Sequence, residues 1–157
     1  MTPDQFRAYY DYHFAANRKL WDTSIMTLTD DQYLQNLDYS IGSIRNQMVH
    51  LMNIEERWFS GLRGVEVPGF MNPVHIHTRE ELREKWDVVE ADIRTYLATL
   101  TDEIIGSVYD GPFFVWQVLL HVANHATDHR AQTLAMLHQL GAPTFGQDYA
   151  YFIIGKL

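Results

Sequence analysis

Apolar positions recur along this chain every three to four residues, broken at a few points by glycine, proline and capping residues. That pattern predicts four long helices. The first runs from about Pro3 to Leu28. Thr2 and Gln5 make a capping-box pair with Pro3 at the first helical position, and Phe6, Tyr9, His13, Ala16 and Leu20 form one stripe that carries His13 inward. A linker with its own short cap signal, Thr29-Asp30-Asp31-Gln32, leads to Gly42-Ser43. These set up a second helix from about Ile44 to Leu62, with Gly64 beyond its end. Ile44, Gln47, Leu51, Ile54 and Trp58 mark its inward face, and His50 lies beside that stripe.

The next stretch, 65–77, holds Pro68, Gly69 and Pro73 and has no helical period. A short connection would force antiparallel neighbours, whereas one of this length can cross the end of a bundle. Thr78 and Glu81 form a capping pair for a third helix that reaches about Leu100, with Trp86, Val89, Ile93, Tyr96 and Leu97 as its apolar face. Asp110-Gly111-Pro112 signals a turn. The fourth helix runs from about Phe114 to Leu140, where Gly141 and Pro143 stop it. The tail from Thr144 to Leu157 carries Tyr149, Tyr151, Phe152 and Ile153 and is expected to pack on the bundle. No strong strand pattern or internal repeat is seen.

Composition narrows the function. A chain of 157 residues suits one domain with a sizeable core, and an aromatic content of 13% argues against disorder. The formal net charge is -8, so nucleic acid is a poor partner. No basic cluster reverses this, because Arg79 and Arg83 sit among Glu80, Glu81 and Glu84. Cysteine is absent, which removes disulfides, thiolate metal sites and Cys nucleophiles together. The N-terminus lacks the layout of a signal peptide, and no apolar run approaches the ~18 residues of a membrane span. The expectation is a soluble cytoplasmic protein with neither a membrane nor a nucleic-acid partner.

The candidate chemistry lies in Leu120-His121-Val122-Ala123-Asn124-His125-Ala126-Thr127-Asp128-His129-Arg130. His121, His125 and His129 recur every four residues and fall along one slowly drifting helix face. Two imidazoles one turn apart can bind one ion, with the helix fixing their separation in advance. A third ligand must come from another element. His50 on the second helix is the best candidate, with His13 on the first in reserve. A lone helical His is more often a surface or core residue, and His75, His77 and His138 read as loop or surface positions. Zinc-protease chemistry is disfavoured, because Val122 follows His121 and Ala126 follows His125 where a Glu base would stand. Di-iron chemistry is disfavoured because no His has Glu three residues before it. What remains is a mononuclear site of three neutral nitrogen donors. It would keep the full charge of a divalent ion and leave a position open for water or a thiol.

Tyr12-His13-Phe14-Ala15-Ala16-Asn17-Arg18-Lys19-Leu20, Gly42-Ser43-Ile44, Val49-His50-Leu51, Glu55-Glu56-Arg57-Trp58, and Trp116-Gln117-Val118-Leu119-Leu120-His121-Val122-Ala123-Asn124-His125 with His129-Arg130-Ala131-Gln132 follow one another in an order and spacing that resembles the DinB/YfiT-like family. The resemblance covers nearly the whole chain. It implies an all-α fold: a single DinB-like four-helix bundle over residues 1–157, with up-down-down-up topology. It also implies metal ligands at His50, His125 and His129, with His121 a pocket residue rather than a ligand. Many relatives have His at the position of Asp128, Gly at Ala131 and Trp at Ala15; the first two are not ligand positions, and the third bears on the pocket or the dimer surface.

Similar members include thiol-dependent S-transferases and isomerases. The function expected from the resemblance is therefore a metal-dependent transferase or hydrolase. A divalent transition metal, zinc or nickel, would activate a low-molecular-weight thiol or water against a small electrophile. His121 and Asn17 are the candidate catalytic residues, and His13 and Gln132 are candidates to line the pocket. A homodimer is implied as well. The alternative is a non-catalytic, stress-related metal-binding bundle, which would show a closed ligand shell and no adjoining cavity.

Overall fold

A computed structural model describes residues 1–157. It contains α1 (Pro3–Thr23), α2 (Asp30–Leu34), α3 (Ile44–Leu62), α4 (Arg79–Ala98), α5 (Asp102–Gly106), β1 (Val108–Asp110), β2 (Phe113–Phe114), α6 (Val115–Gln139) and α7 (Tyr149–Ile153). The four long helices α1, α3, α4 and α6 are the four that the periodicity predicts, packed as a helical bundle. No helix is long and apolar enough to cross a membrane.

Pairwise contacts fix the direction of each helix. Tyr10 donates to the Leu119 carbonyl and, further along both helices, Asn17 meets Arg130, so α1 and α6 run parallel. Arg7 reaches the Leu97 carbonyl while Trp21 packs edge-on to Trp86, so α4 opposes α1. Gln47 meets Met136 and Trp58 meets His121, so α3 opposes α6. Glu55 bonds Trp86 and Phe59 packs on Tyr96, so α3 and α4 run the same way. The order is up, down, down, up, and the segment between Arg63 and Thr78 is long enough to carry the chain back between two parallel helices.

Local chemistry accounts for the boundaries. Thr2 and Gln5 form the expected reciprocal cap on α1, and Thr29 and Gln32 do the same for α2. The first helix ends at Thr23, five residues before the expected Leu28, and a single 3₁₀ turn follows over Ile25–Thr27. Hydroxyls cluster there, with Thr23 bonding the Lys19 carbonyl and Thr27 the Ser24 carbonyl. They compete with the helical ladder. At Thr78 half of the capping box forms: the hydroxyl accepts from Glu81 N–H, but the Glu81 carboxylate accepts from His77 N–H. The Asp110-Gly111-Pro112 turn closes a two-stranded antiparallel hairpin, β1 with β2, that the sequence pattern does not predict. Its strands are too short to show a period.

The core is built on Phe6, Tyr10, Leu20, Ile44, Met48, Leu51, Met52, Phe59, Leu82, Trp86, Ile93, Leu119, Val122 and Met136, all nearly inaccessible. Burying such side chains contributes about 1.5–3 kcal/mol each before entropy is set against it. Ile54 and Trp58, expected on the inward face of α3, are half-buried, because α3 turns a second face toward surface clefts. The tail packs on the bundle only in part, and Tyr151 stays exposed. Tyr12 donates to the Gln147 carbonyl at 2.6 Å, and Tyr149 stacks edge-on to Tyr9 and Tyr12, although Ile153 and Ile154 remain exposed.

Candidate metal centre

α3 and α6 pack against each other antiparallel, and at their seam three half-buried histidines converge. His50 comes from α3, and His125 and His129 from successive turns of α6. One ligand atom from each lies within 4.8 Å of the other two. The His50 and His125 Nε2 atoms are 3.3 Å apart, and the ring centroids of His129 lie 4.5 Å from His50 and 4.4 Å from His125. Two nitrogens bound at 2.0–2.1 Å to one tetrahedral ion would be separated by about 3.3 Å, so the His50–His125 pair already stands at the spacing of a zinc-sized ion, and the third donor lies within 4.8 Å of both. Without an ion, two Nε2 lone pairs would face each other unless one ring turned a proton inward.

Electrostatics favour the neutral form of all three rings. Burial lowers the pKa of His50, and His129 lowers it further. Burial also lowers His129. His125 is pushed down to about 4 by burial and by the neighbouring His129, His50 and His121, against a small opposing effect of Asp128. Neutral imidazoles with free lone pairs are the form a metal needs. His129 Nδ1 lies 2.8 Å from the wholly buried Gln47 Oε1, whereas His125 Nδ1 is buried without a partner.

His121 does not join the group. Each four-residue step advances about 40° around an α-helix, so over two steps His121 is carried off the seam. Its ring is exposed, 5.9 Å from His125 and 5.3 Å from Trp58. There it lines a cleft of about 400 Å³ with Trp58, Pro112, Phe113, Gln117 and Val118. A second cleft of about 250 Å³ adjoins His50 and is bounded by Ile41, Asn46, Asn53, Phe70, Met71 and Pro73. Of the three histidines only His50 lines a cleft, the smaller one, while the larger is reached from the group through His121, beside His125.

Asn17 and His13 lie elsewhere. Both are buried on the α1 side of the bundle. His13 Nε2 donates to Glu55 Oε1 at 2.9 Å, Asn17 Nδ2 donates to the same oxygen at 3.1 Å, and Trp86 Nε1 donates to Glu55 Oε2 at 2.6 Å. Arg130 NH1 donates to Asn17 Oδ1 and to His13 Nδ1. The hydrogen-bonding capacity of Asn17 is engaged in this interior cluster, and the structure does not bring it to the three histidines. Burial alone would push the Glu55 carboxyl up. His13 beside it, the Trp86 N–H and the Arg130 guanidinium outweigh burial and hold it below the ordinary carboxylate range. Gln132 reaches neither cleft and bonds Asp128 and Ser40.

The sequence matches the DinB family over residues 3–155. The chain belongs to the DinB family. Its helical bundle and three-histidine group are compatible with a metal-binding protein of the DinB type. No curated protein matches it. Two residues of this DinB chain were not singled out for a role by sequence reasoning. Gln47 carries only the signal of an inward polar position, and Glu55 enters only among the residues that carry the family resemblance.

Proposed function

We propose that this DinB protein is a metal-dependent enzyme, an S-transferase or hydrolase that directs a thiol or water at a small electrophile. The carrying observation is the convergence of His50, His125 and His129, with no fourth His, Cys, Asp or Glu donor in the group and with a cleft against His50. Asp128, the nearest acidic neighbour in sequence, accepts from Gln132 instead. A zinc or nickel ion held by these rings would supply Lewis acidity and lower the pKa of a bound water or thiol.

The chain's own residues suggest how a substrate is handled. Trp58, Phe113 and Val118 offer an apolar wall and exclude water from one side of a guest. His121 stands at that wall with no protein partner holding its ring nitrogens. In this reading it takes or gives a proton at a group lodged against Trp58, whose ring lies 5.3 Å away. His13 and Asn17 serve instead to anchor α1 to α3 and α6.

The test is an electrophile panel assayed with several cellular thiols, and with none, using zinc- or nickel-loaded protein, chelated protein and His125→Ala. Turnover by the loaded protein alone supports the reading. Equal rates in all three, above background, would place the chemistry away from the histidines. Tight metal uptake without turnover across the panel would favour the non-catalytic metal-binding bundle.

A further inference from the structure

A chain of hydrogen bonds leads from the surface of α6 to His129, and its direction is set at the outer end. The Asp128 carboxylate can only accept. Gln132 Nε2 donates to Asp128 Oδ2 at 2.9 Å, which turns Gln132 Oε1 the other way. That oxygen accepts from the Ser40 hydroxyl. The single hydroxyl proton is then used, and the Ser40 oxygen is left as an acceptor. Gln47 Nε2 donates to it at 2.7 Å, so Gln47 Oε1 must face His129 Nδ1, 2.8 Å away. An amide oxygen brings no proton, so the hydrogen sits on Nδ1 and the lone pair on Nε2.

We propose that Asp128, Gln132, Ser40 and Gln47 form a one-way relay in which Gln47 is the positioning residue that locks His129 in the Nδ1–H tautomer, its Nε2 presented to the metal. This rests on the metal-binding reading of the three histidines. Two further observations show a built device. Gln47 is completely buried, with both ends of its amide engaged. Ser40 is the one non-glycine residue with positive φ, at 51°, a left-handed conformation that ordinary side chains avoid. The loop holds that conformation where its hydroxyl bridges Gln47 and Gln132. His125, whose Nδ1 has no partner, receives no such orientation, so the relay concerns one ligand specifically.

The experiment compares wild type with Gln47→Met, Gln47→Glu and Gln132→Met. The His129 tautomer is read from long-range proton–nitrogen spectra of the metal-free protein, and zinc affinity from competition with a chromophoric chelator. Wild type shows Nδ1–H at His129. Gln47→Met removes the acceptor and loses zinc affinity by about 10- to 100-fold, the usual cost of a missing partner to a metal-bound imidazole. Gln47→Glu keeps an acceptor toward Nδ1 whichever way it turns and restores most of the affinity. Gln132→Met lies at the half-exposed surface, where folding is not at stake. It frees the Ser40 proton and yields mixed tautomers at His129.

An Nε2–H tautomer in wild type, zinc affinity unchanged in Gln47→Met, a Gln47→Glu variant as weak as Gln47→Met, or a single unmixed tautomer in Gln132→Met each overturns the relay. A wild-type protein that takes up no zinc at all instead overturns the metal-binding reading beneath it.

Discussion

His129 and Arg130 are consecutive in the chain, about 100° apart around α6, and reach two different helices. The His129 ring turns to α3, 4.5 Å from that of His50, while the Arg130 guanidinium turns to α1 and bonds His13 and Asn17. The width of one helix thus separates a candidate metal centre from a buried ionic cluster. The two can be perturbed independently, and each gives its own signature.

For the metal side, zinc at a hundredfold excess over its dissociation constant should stabilise the protein by about 2.7 kcal/mol through mass action. For a domain of this size that is a rise in Tm of roughly 5–10 °C. Tag-free protein should carry the metal by elemental analysis. His125→Ala should lose both the metal and the Tm response, and retention of metal in that variant would show that the ligands lie elsewhere.

His121 gives a contrasting outcome. Its ring lies outside the ligand group, so His121→Ala should keep the wild-type metal content. If the ring transfers a proton during turnover, the variant should lose about 10²- to 10⁴-fold in rate. Loss of metal from this variant would instead mark His121 as a ligand.

On the other face of α6, Arg130 is almost wholly buried and also bonds Thr127 and Gln147, which ties the tail to the bundle. Removing one member of a buried ionic cluster leaves the others uncompensated. Arg130→Met should therefore cost about 3–5 kcal/mol in urea unfolding of metal-free protein. A loss below about 1 kcal/mol would mean that water enters and substitutes for the guanidinium.

Glu55 should make the same protein acid-sensitive. Its folded-state pKa is lowered, so its contribution is fully present above the unfolded carboxyl value of about 4.3 and is lost as pH falls through that value and on through the folded one. At pH 7 Glu55→Gln should be less stable by about 1.5–3 kcal/mol, the range for hydrogen bonds to a charged group. Urea midpoints of variant and wild type should converge as pH falls below about 4.3. A gap that widens instead would mean that the carboxyl is protonated in the folded protein.

Much of this was legible in the chain. Period and capping residues gave α1, α3, α4 and α6, because helix formation depends on neighbours three and four residues away. The His125/His129 pair was legible for the same reason, being one turn apart on a single helix. The early end of α1 was less so, since competition between hydroxyls and the ladder at Thr23 and Thr27 is decided by small energy differences. Asn17 illustrates a harder limit. Its inward position could be read, but whether it faced the histidines or Glu55 depended on which helix packed against it.

By itself, then, the sequence determined the helices, their inward stripes, the absence of thiolate ligands and the spacing of two imidazoles on α6, all of which are local properties. Tertiary structure decided that His50 meets that pair, that His121 points to Trp58, and that His13 and Asn17 close on Glu55 and Arg130. The direction of the hydrogen-bond chain ending at His129 was decided there as well. The physical reason is that helix period sets only the bearing of a side chain about its own axis. Which partner it finds is set by how separate helices rotate and slide to fill a common core.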